Sequence, residues 1–199
     1  RENGFFSQKC VESSQEGDGA VMDIGHDYFE DTRFNRETFR FRCFPIVNSD
    51  TLPHWHNHLE MVLSTRNAND VHVNGFVHVL ACGDVLVIPP GSLHSIRVRD
   101  SDYTAFVIGD GLLSSLTYDP HLAVLIRPFL SVQAFAPLHL TAAESCRTGI
   151  KGLLEQLLRE EDNKDPGYEA EIKAILCLVF GALVRGNPEL AQWKERYHE

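Results

Sequence analysis

From Thr38 to Arg42 apolar and charged side chains alternate, and the run then turns mostly apolar through Val47, the pattern of a half-buried strand. His54 to Ser64 reads as the next strand and Arg66 to Asp70 as a polar loop. Two β-rich runs, Val71–Val73 and Phe76–Val79, flank Asn74-Gly75. That pair suits a type I′ hairpin turn, in which both central residues need positive φ. Val85–Ile88, His94–Val98 and Tyr103–Ile108 complete a series of short, turn-punctuated strands, as in a double-sheet sandwich or barrel. After about Leu112 the period changes. Thr141-Ala142-Ala143-Glu144 is a capping box, and Ile150, Leu153, Leu154, Leu157 and Leu158 follow at helical spacing. Asp165-Pro166 suits a second helix start, with the stripe Ile172, Ile175, Leu176, Val179, Phe180, Leu183 and a stop at Gly186. Asn187-Pro188-Glu189 opens a short third helix reaching Trp193 and Tyr197. The pattern divides the chain into a polar arm (1–25), a β barrel (26–112) and a helical region (113–199).

The chemistry is concentrated in Pro53-His54-Trp55-His56-Asn57-His58-Leu59-Glu60. On one continuous strand His54, His56, His58 and Glu60 share a face, because side chains alternate with period two. Three imidazoles and a carboxylate are costly to bury together unless something binds them. A second stretch, Gly83-Asp84-Val85-Leu86-Val87-Ile88-Pro89-Pro90-Gly91-Ser92-Leu93-His94, is a short apolar strand, a tight turn and one more histidine.

These two stretches resemble the paired motifs of the cupin superfamily. His54, His56 and Glu60 match the first motif, with Asn48 and Asn67 where glycines stand, residues that also tolerate left-handed turns. Gly83, Pro89, Gly91 and His94 match the second, with Val98 in place of its final Asn. The resemblance implies a mainly β fold, a cupin double-stranded β-helix (jelly-roll barrel), followed by a C-terminal α-helical segment. It implies His54, His56, Glu60 and His94 as metal ligands, a set whose imidazole and carboxylate donors suit Zn, Ni, Fe or Mn. Metal-free, the same residues would hydrogen-bond one another and line an effector pocket. Both alternatives remain open here. His58, Tyr103 and Phe106 are the candidate effector contacts.

The order of parts, from about residue 35 to 185, resembles the N-terminal sensory half of AraC/XylS-type transcription regulators. In that family the barrel takes a small-molecule effector, the helices dimerise the protein, and a C-terminal helix-turn-helix region binds DNA. The resemblance therefore implies an effector-binding and dimerisation part expressed without its DNA-binding half. The leucine stripes hold more apolar side chains than a small sheet face absorbs, which points to a homodimer through the C-terminal helices.

Composition narrows the partners. Eighteen Lys and Arg against 28 Asp and Glu give a net charge of −10, which argues against phosphate binding by this chain. Arg33, Arg36, Arg40 and Arg42 alternate with aromatics and read as a solvated strand face. Five cysteines (Cys10, Cys43, Cys82, Cys146, Cys177) without C-x-x-C spacing fit reduced thiols and a cytoplasmic location. No apolar run has the length of a membrane span, and the polar start has no signal-peptide core. The rival function is a metal-dependent cupin enzyme of oxygenase or isomerase type. Against it stand the long helical tail and the lack of a separate acid–base pair.

Overall fold

The computed structural model describes residues 28–191 apart from 35, 37 and 131–134. The 1–25 arm, Trp193 and Tyr197 lie outside the described residues. Among the described residues, nine strands form two antiparallel sheets: β1 (Phe41–Val47), β2 (Thr51–His54), β3 (Leu59–Arg66), β4 (Asn69–Val73), β5 (Phe76–Leu80), β6 (Val85–Ile88), β7 (His94–Val98), β8 (Asp102–Ile108) and β9 (Leu138–Leu140). Five strands run in the order β1-β8-β3-β6-β9 and four in the order β2-β7-β4-β5. The two sheets make the expected double-sheet, mainly β jelly roll, followed by helices in the C-terminal part. The turns follow their residues: Asn74 (φ 48) and Gly75 (φ 86) both sit left-handed in the β4–β5 hairpin. Asn48 (φ 44) and Asn67 (φ 54) do the same at their own turns.

The five-stranded sheet is buried on both faces. Leu59, Met61 and Leu63 of β3, Val85 and Val87 of β6, and Phe106 and Ile108 of β8 point outward from the barrel into a core shared with the helices. Val62, Leu86, Ile88, Tyr103 and Ala105 point inward to a second core against the other sheet. The helical region is α1 (Asp110–Leu116), α2 (Pro120–Ile126), α3 (Ala142–Arg147), α4 (Ile150–Asn163), α5 (Tyr168–Gly186) and α6 (Pro188–Ala191). It is not wholly helical, because β9 returns to pair with β6.

Three expectations change. The helix expected from Thr141 onward is two helices: the capping box forms, with the Glu144 amide donating to the Thr141 hydroxyl, but Gly149 (φ 78) ends the run. Asp165-Pro166 sits before the second long helix, which starts at Tyr168 behind left-handed Gly167 (φ 96). The apolar stripes are consumed within the chain. Ile150, Leu154, Leu157, Ile172, Ile175, Leu176, Val179, Phe180 and Leu183 are all buried against the outer sheet face, with Leu153 and Leu158 partly buried beside them. A doubly buried sheet has room for them that a half-buried one lacks. The stripes thus find their cover within one chain, and Leu178 is the large apolar residue of α4 and α5 recorded as exposed.

A polar joint ties the layers together. The Asp84 carboxylate accepts from the amide of Ala81 (3.0 Å), from His139 Nε2 (2.9 Å) and from the amide of Ala142 at the start of α3 (2.7 Å). Ser145 Oγ donates to the Gly83 carbonyl at 2.8 Å. A Cβ on Gly83 (φ +91) would lie 3.0 Å from that of Ala142, so the strand and helix meet where a side chain has no room. Leu154→Ala should cost about 2–5 kcal/mol in urea unfolding, as for truncation in a packed core. Leu178→Ala, at 56% exposure, should stay within about 0.5 kcal/mol.

Candidate metal and effector site

His54 and His94 reach the site from neighbouring strands, where they are register partners of β2 and β7, and their rings lie 4.2 Å apart. Glu60 comes from β3 on the facing sheet. The chain is not one strand from His54 to Ser64. It leaves the four-stranded sheet after His54 and enters the five-stranded sheet at Leu59, so the site is built across the crossover. His56 lies on that crossover, held by the Gly91 amide donating to its carbonyl at 2.8 Å. The bend breaks the parity that would have placed His58 with the others. His58 packs edge-on against Phe34, ring centroids 5.0 Å apart, and its Nδ1 is buried without a partner.

One ligand atom from each of His54, His56, Glu60 and His94 lies within 4.8 Å of all the others. Bonds of about 2.1 Å to a shared ion put opposite donors about 4.2 Å apart, so a small contraction suffices. Two of the rings are already oriented. His54 Nδ1 and His94 Nδ1 donate to the carbonyls of Leu52 (2.9 Å) and Ser92 (2.8 Å), the backing that turns Nε2 toward a metal. His56 differs: the His58 amide points at its Nδ1 (3.4 Å), leaving the proton on Nε2, which donates to Glu60 Oε2 at 3.0 Å. The donor set fits a divalent transition metal, provided His56 gives up that proton.

In the protein alone, a proton does what a metal would do. His94 Nε2 lies 3.2 Å from the same Glu60 oxygen while its Nδ1 donates to a carbonyl, so both nitrogens carry hydrogen. Burial works against that charge, but the Glu60 carboxylate and the Ser92 carbonyl outweigh it and raise the His94 pKa. Burial likewise opposes the Glu60 carboxylate, and the charge of His94 with hydrogen bonds from His56 and His94 outweighs it, lowering its pKa. His54 is lowered by burial first and by His94 second, which favours the neutral, ligating form.

Beside the cluster opens a cavity of about 340 Å³. Phe44, Ile46 and Val107 form an apolar wall; Tyr103, Asp50 and Glu30 are polar. The Tyr103 and Thr51 hydroxyls share a hydrogen bond of 2.5 Å, and burial pushes the phenol up to about 12. Of the residues expected to touch an effector, Tyr103 lines this cavity. Phe106 does not: three positions on along the same strand, it faces the helices, and it lines a smaller cavity of about 130 Å³ beside Lys151. His58 lies outside the lining as well. Glu30 was missed, and a charged residue in a patternless lead-in gives no signal. Phe44 and Ile46 were legible in principle as the inward parity of β1.

Residues 47–112 match the AraC-like ligand binding domain. That is a third of the chain, covering β2–β8 and all four candidate ligands. A comparison with curated proteins returned no match. Among solved structures, a Bacillus subtilis oxalate decarboxylase studied for its Mn(II) centres is 17% identical, with a TM-score of 0.33 over 36% of this chain and 22% of that one. An RmlC-like cupin from Shewanella frigidimarina is 20% identical, with a TM-score of 0.30 over 35% of this chain and 67% of that one. This chain thus spans about a fifth of the decarboxylase. No helix among the described residues is long and apolar enough to cross a membrane.

The two opposed shifts define a pH window. Glu60 stabilises the fold above its unfolded pKa of about 4.3 and loses that contribution as pH falls through its lowered folded value. His94 contributes fully below its unfolded pKa of about 6.5 and loses it as pH rises through its raised folded value. With chelator present, the stability gap between wild type and Glu60→Gln should be widest between about pH 4.5 and 6.5 and narrow above it. Metal uptake by equilibrium dialysis should strengthen with rising pH, because protons leave as ligands engage.

Proposed function

We propose that this chain is the small-molecule-sensing part of an AraC-type transcription regulator, with the effector held in the barrel cavity. The observation that carries this is the cavity itself. Its volume, its apolar wall and its few convergent polar groups have the form of a ligand site, and its lining other than Glu30, Phe44 and Ile46 comes from the segment matching a ligand-binding family. A divalent transition metal on His54, His56, Glu60 and His94 forms the polar end of the site; when bound, it supplies open coordination positions for ligand oxygen or nitrogen. Tyr103 and Thr51 orient the ligand from the side, and the Phe44–Ile46 wall excludes water. DNA contact is assigned to a separate helix-turn-helix region, since residues 1–199 carry a net charge of −10. The regulator acts in the cytoplasm as a homodimer.

The second reading, a metal-dependent cupin enzyme, is favoured by one specific feature: the cavity opens directly onto the ligand cluster. One experiment separates the two. Metal-loaded and metal-free protein are titrated by calorimetry with a panel of sugars, polyols and small carboxylic acids, and each binder is recovered and analysed after incubation in air. The sensor reading expects at least one binder, recovered unchanged, whose affinity falls tenfold or more in Ile46→Phe while metal content stays the same. Steady conversion of a binder by the metal-loaded chain would establish the enzyme instead.

A further inference from the structure

The charge of the barrel cavity is one-sided. Glu30, Asp50 and Glu60 all line it, and no lysine or arginine stands among the described residues that do. Glu60 is answered by the two imidazoles that donate to it. The other two carboxylates are met by neutral donors. Asp50 Oδ1 accepts from the Val98 amide at 2.8 Å, and Glu30 Oε1 accepts from the Thr32 hydroxyl at 3.3 Å. Glu30 Oε2 lies 3.5 Å from His54 Nε2. Because His54 Nδ1 gives its hydrogen to the Leu52 carbonyl, the neutral ring turns a lone pair toward that oxygen. Two acceptors so close call for a donor or a cation beside them. Glu30 is also firmly placed. Its amide donates to the Trp55 carbonyl at 2.9 Å, and the Trp55 amide donates to the Tyr28 carbonyl at 2.8 Å. Phe29 packs edge-on against Trp55, ring centroids 4.8 Å apart. The lead-in to the barrel is thus stitched along the crossover in the one place that brings a carboxylate to the cavity.

We propose that the ligand of this cavity is a small organic amine, its ammonium held by Glu30 and Asp50 and its carbon body laid on the Phe44, Ile46 and Val107 wall. This rests on the reading of the cavity as a ligand site, and adds the class of the ligand. A volume of about 340 Å³ is at the small end for such sites, which keeps the amine small. An ammonium brings several N–H donors and a positive charge to acceptors that lack both. A carboxylate in the same place would face like charge with no lysine or arginine to offset it. That repulsion excludes acids as effectively as the contacts select amines. A neutral alcohol or sugar satisfies the acceptors without the charge, and so ranks between the two. A cleft lined by one sign of charge also draws its counter-ion from solution, and the whole chain, at −10, acts in the same direction. Metal would not reverse the preference. A divalent ion and Glu60 together sum to one positive charge, still short of the two remaining carboxylates. The class is the same whether the amine is sensed or converted.

Two matched series test the class by titration calorimetry of the full chain, with chelator present so that direct coordination plays no part. One is phenethylamine, phenethyl alcohol and phenylacetate; the other is glucosamine, glucose and glucuronate. In at least one series the amine should bind about tenfold or more tightly than its matched carboxylate, with the neutral member between. Glu30→Gln and Asp50→Asn keep the shape and the neutral hydrogen bonds of the originals. Each should weaken the amine about fivefold or more and the neutral member less than about twofold, with unchanged circular dichroism and melting temperature. An advantage below tenfold in both series overturns the proposal, as does an advantage that survives both substitutions. A carboxylate or alcohol that binds best would leave the cavity a ligand site and remove only the class. Absence of binding by all six overturns the class as well, and the panel of sugars, polyols and acids then decides whether the cavity holds a ligand at all.

Discussion

The architecture depends on burying both faces of the five-stranded sheet. A strand has two sets of side chains, and in β3, β6 and β8 both are mostly apolar, with Glu60 the charged exception in the buried part. The inward set closes the barrel over the second sheet, and the outward set gives the helices a floor. Glu60 is the interruption that matters most. It occupies an inward position between apolar neighbours, and its charge persists there because two imidazoles donate to one of its oxygens. The same grouping that makes the carboxylate tolerable also prepares the cluster for a metal, so stability and ligand affinity draw on the same four side chains. Were an ion held there, it would replace one positive charge with another, the proton on His94 leaving as the ion arrived.

Much of this was legible in the sequence where local chemistry decides the backbone. Asn74-Gly75 forces its turn, the Thr141–Glu144 box forms, and the Asn residues standing where glycines are expected adopt the left-handed conformation. The four residues that cluster, His54, His56, Glu60 and His94, were legible as residue types at fixed spacings. What escaped was which side of the sheet a residue faces once both sides are apolar. Phe106 and Tyr103 are equally hydrophobic, and period two assigns them to opposite faces, but nothing in composition says which face holds the cavity. His58 escaped for a different reason. Four consecutive histidine-strand positions look continuous, and the crossover between sheets at 55–58 carries no glycine or proline to announce it.

The helices carried the largest misreading, and its cause is geometric. Counting apolar residues on α4 and α5 measures how much surface needs cover, not what covers it. The outer face of β3, β6 and β8 supplies that cover within the same chain, a role a half-buried sheet could not fill. The apolar positions left bare among the described residues are scattered, among them Val47, Leu52, Phe76, Val77, Val79 and Tyr118, where single residues draw far less notice than a row of leucines.

The Asp84 joint bears on what counts as a module. The segment matching the ligand-binding family ends at residue 112, yet the loop preceding β6 is held by the side chain of His139 and the amide of Ala142, both well past that boundary. A piece cut at that boundary would keep every motif residue while losing the cover of Leu59, Met61, Val87 and Phe106. The recognisable stretch is therefore shorter than the autonomous folding unit. Any exchange of barrels between such proteins would have to carry the helices along.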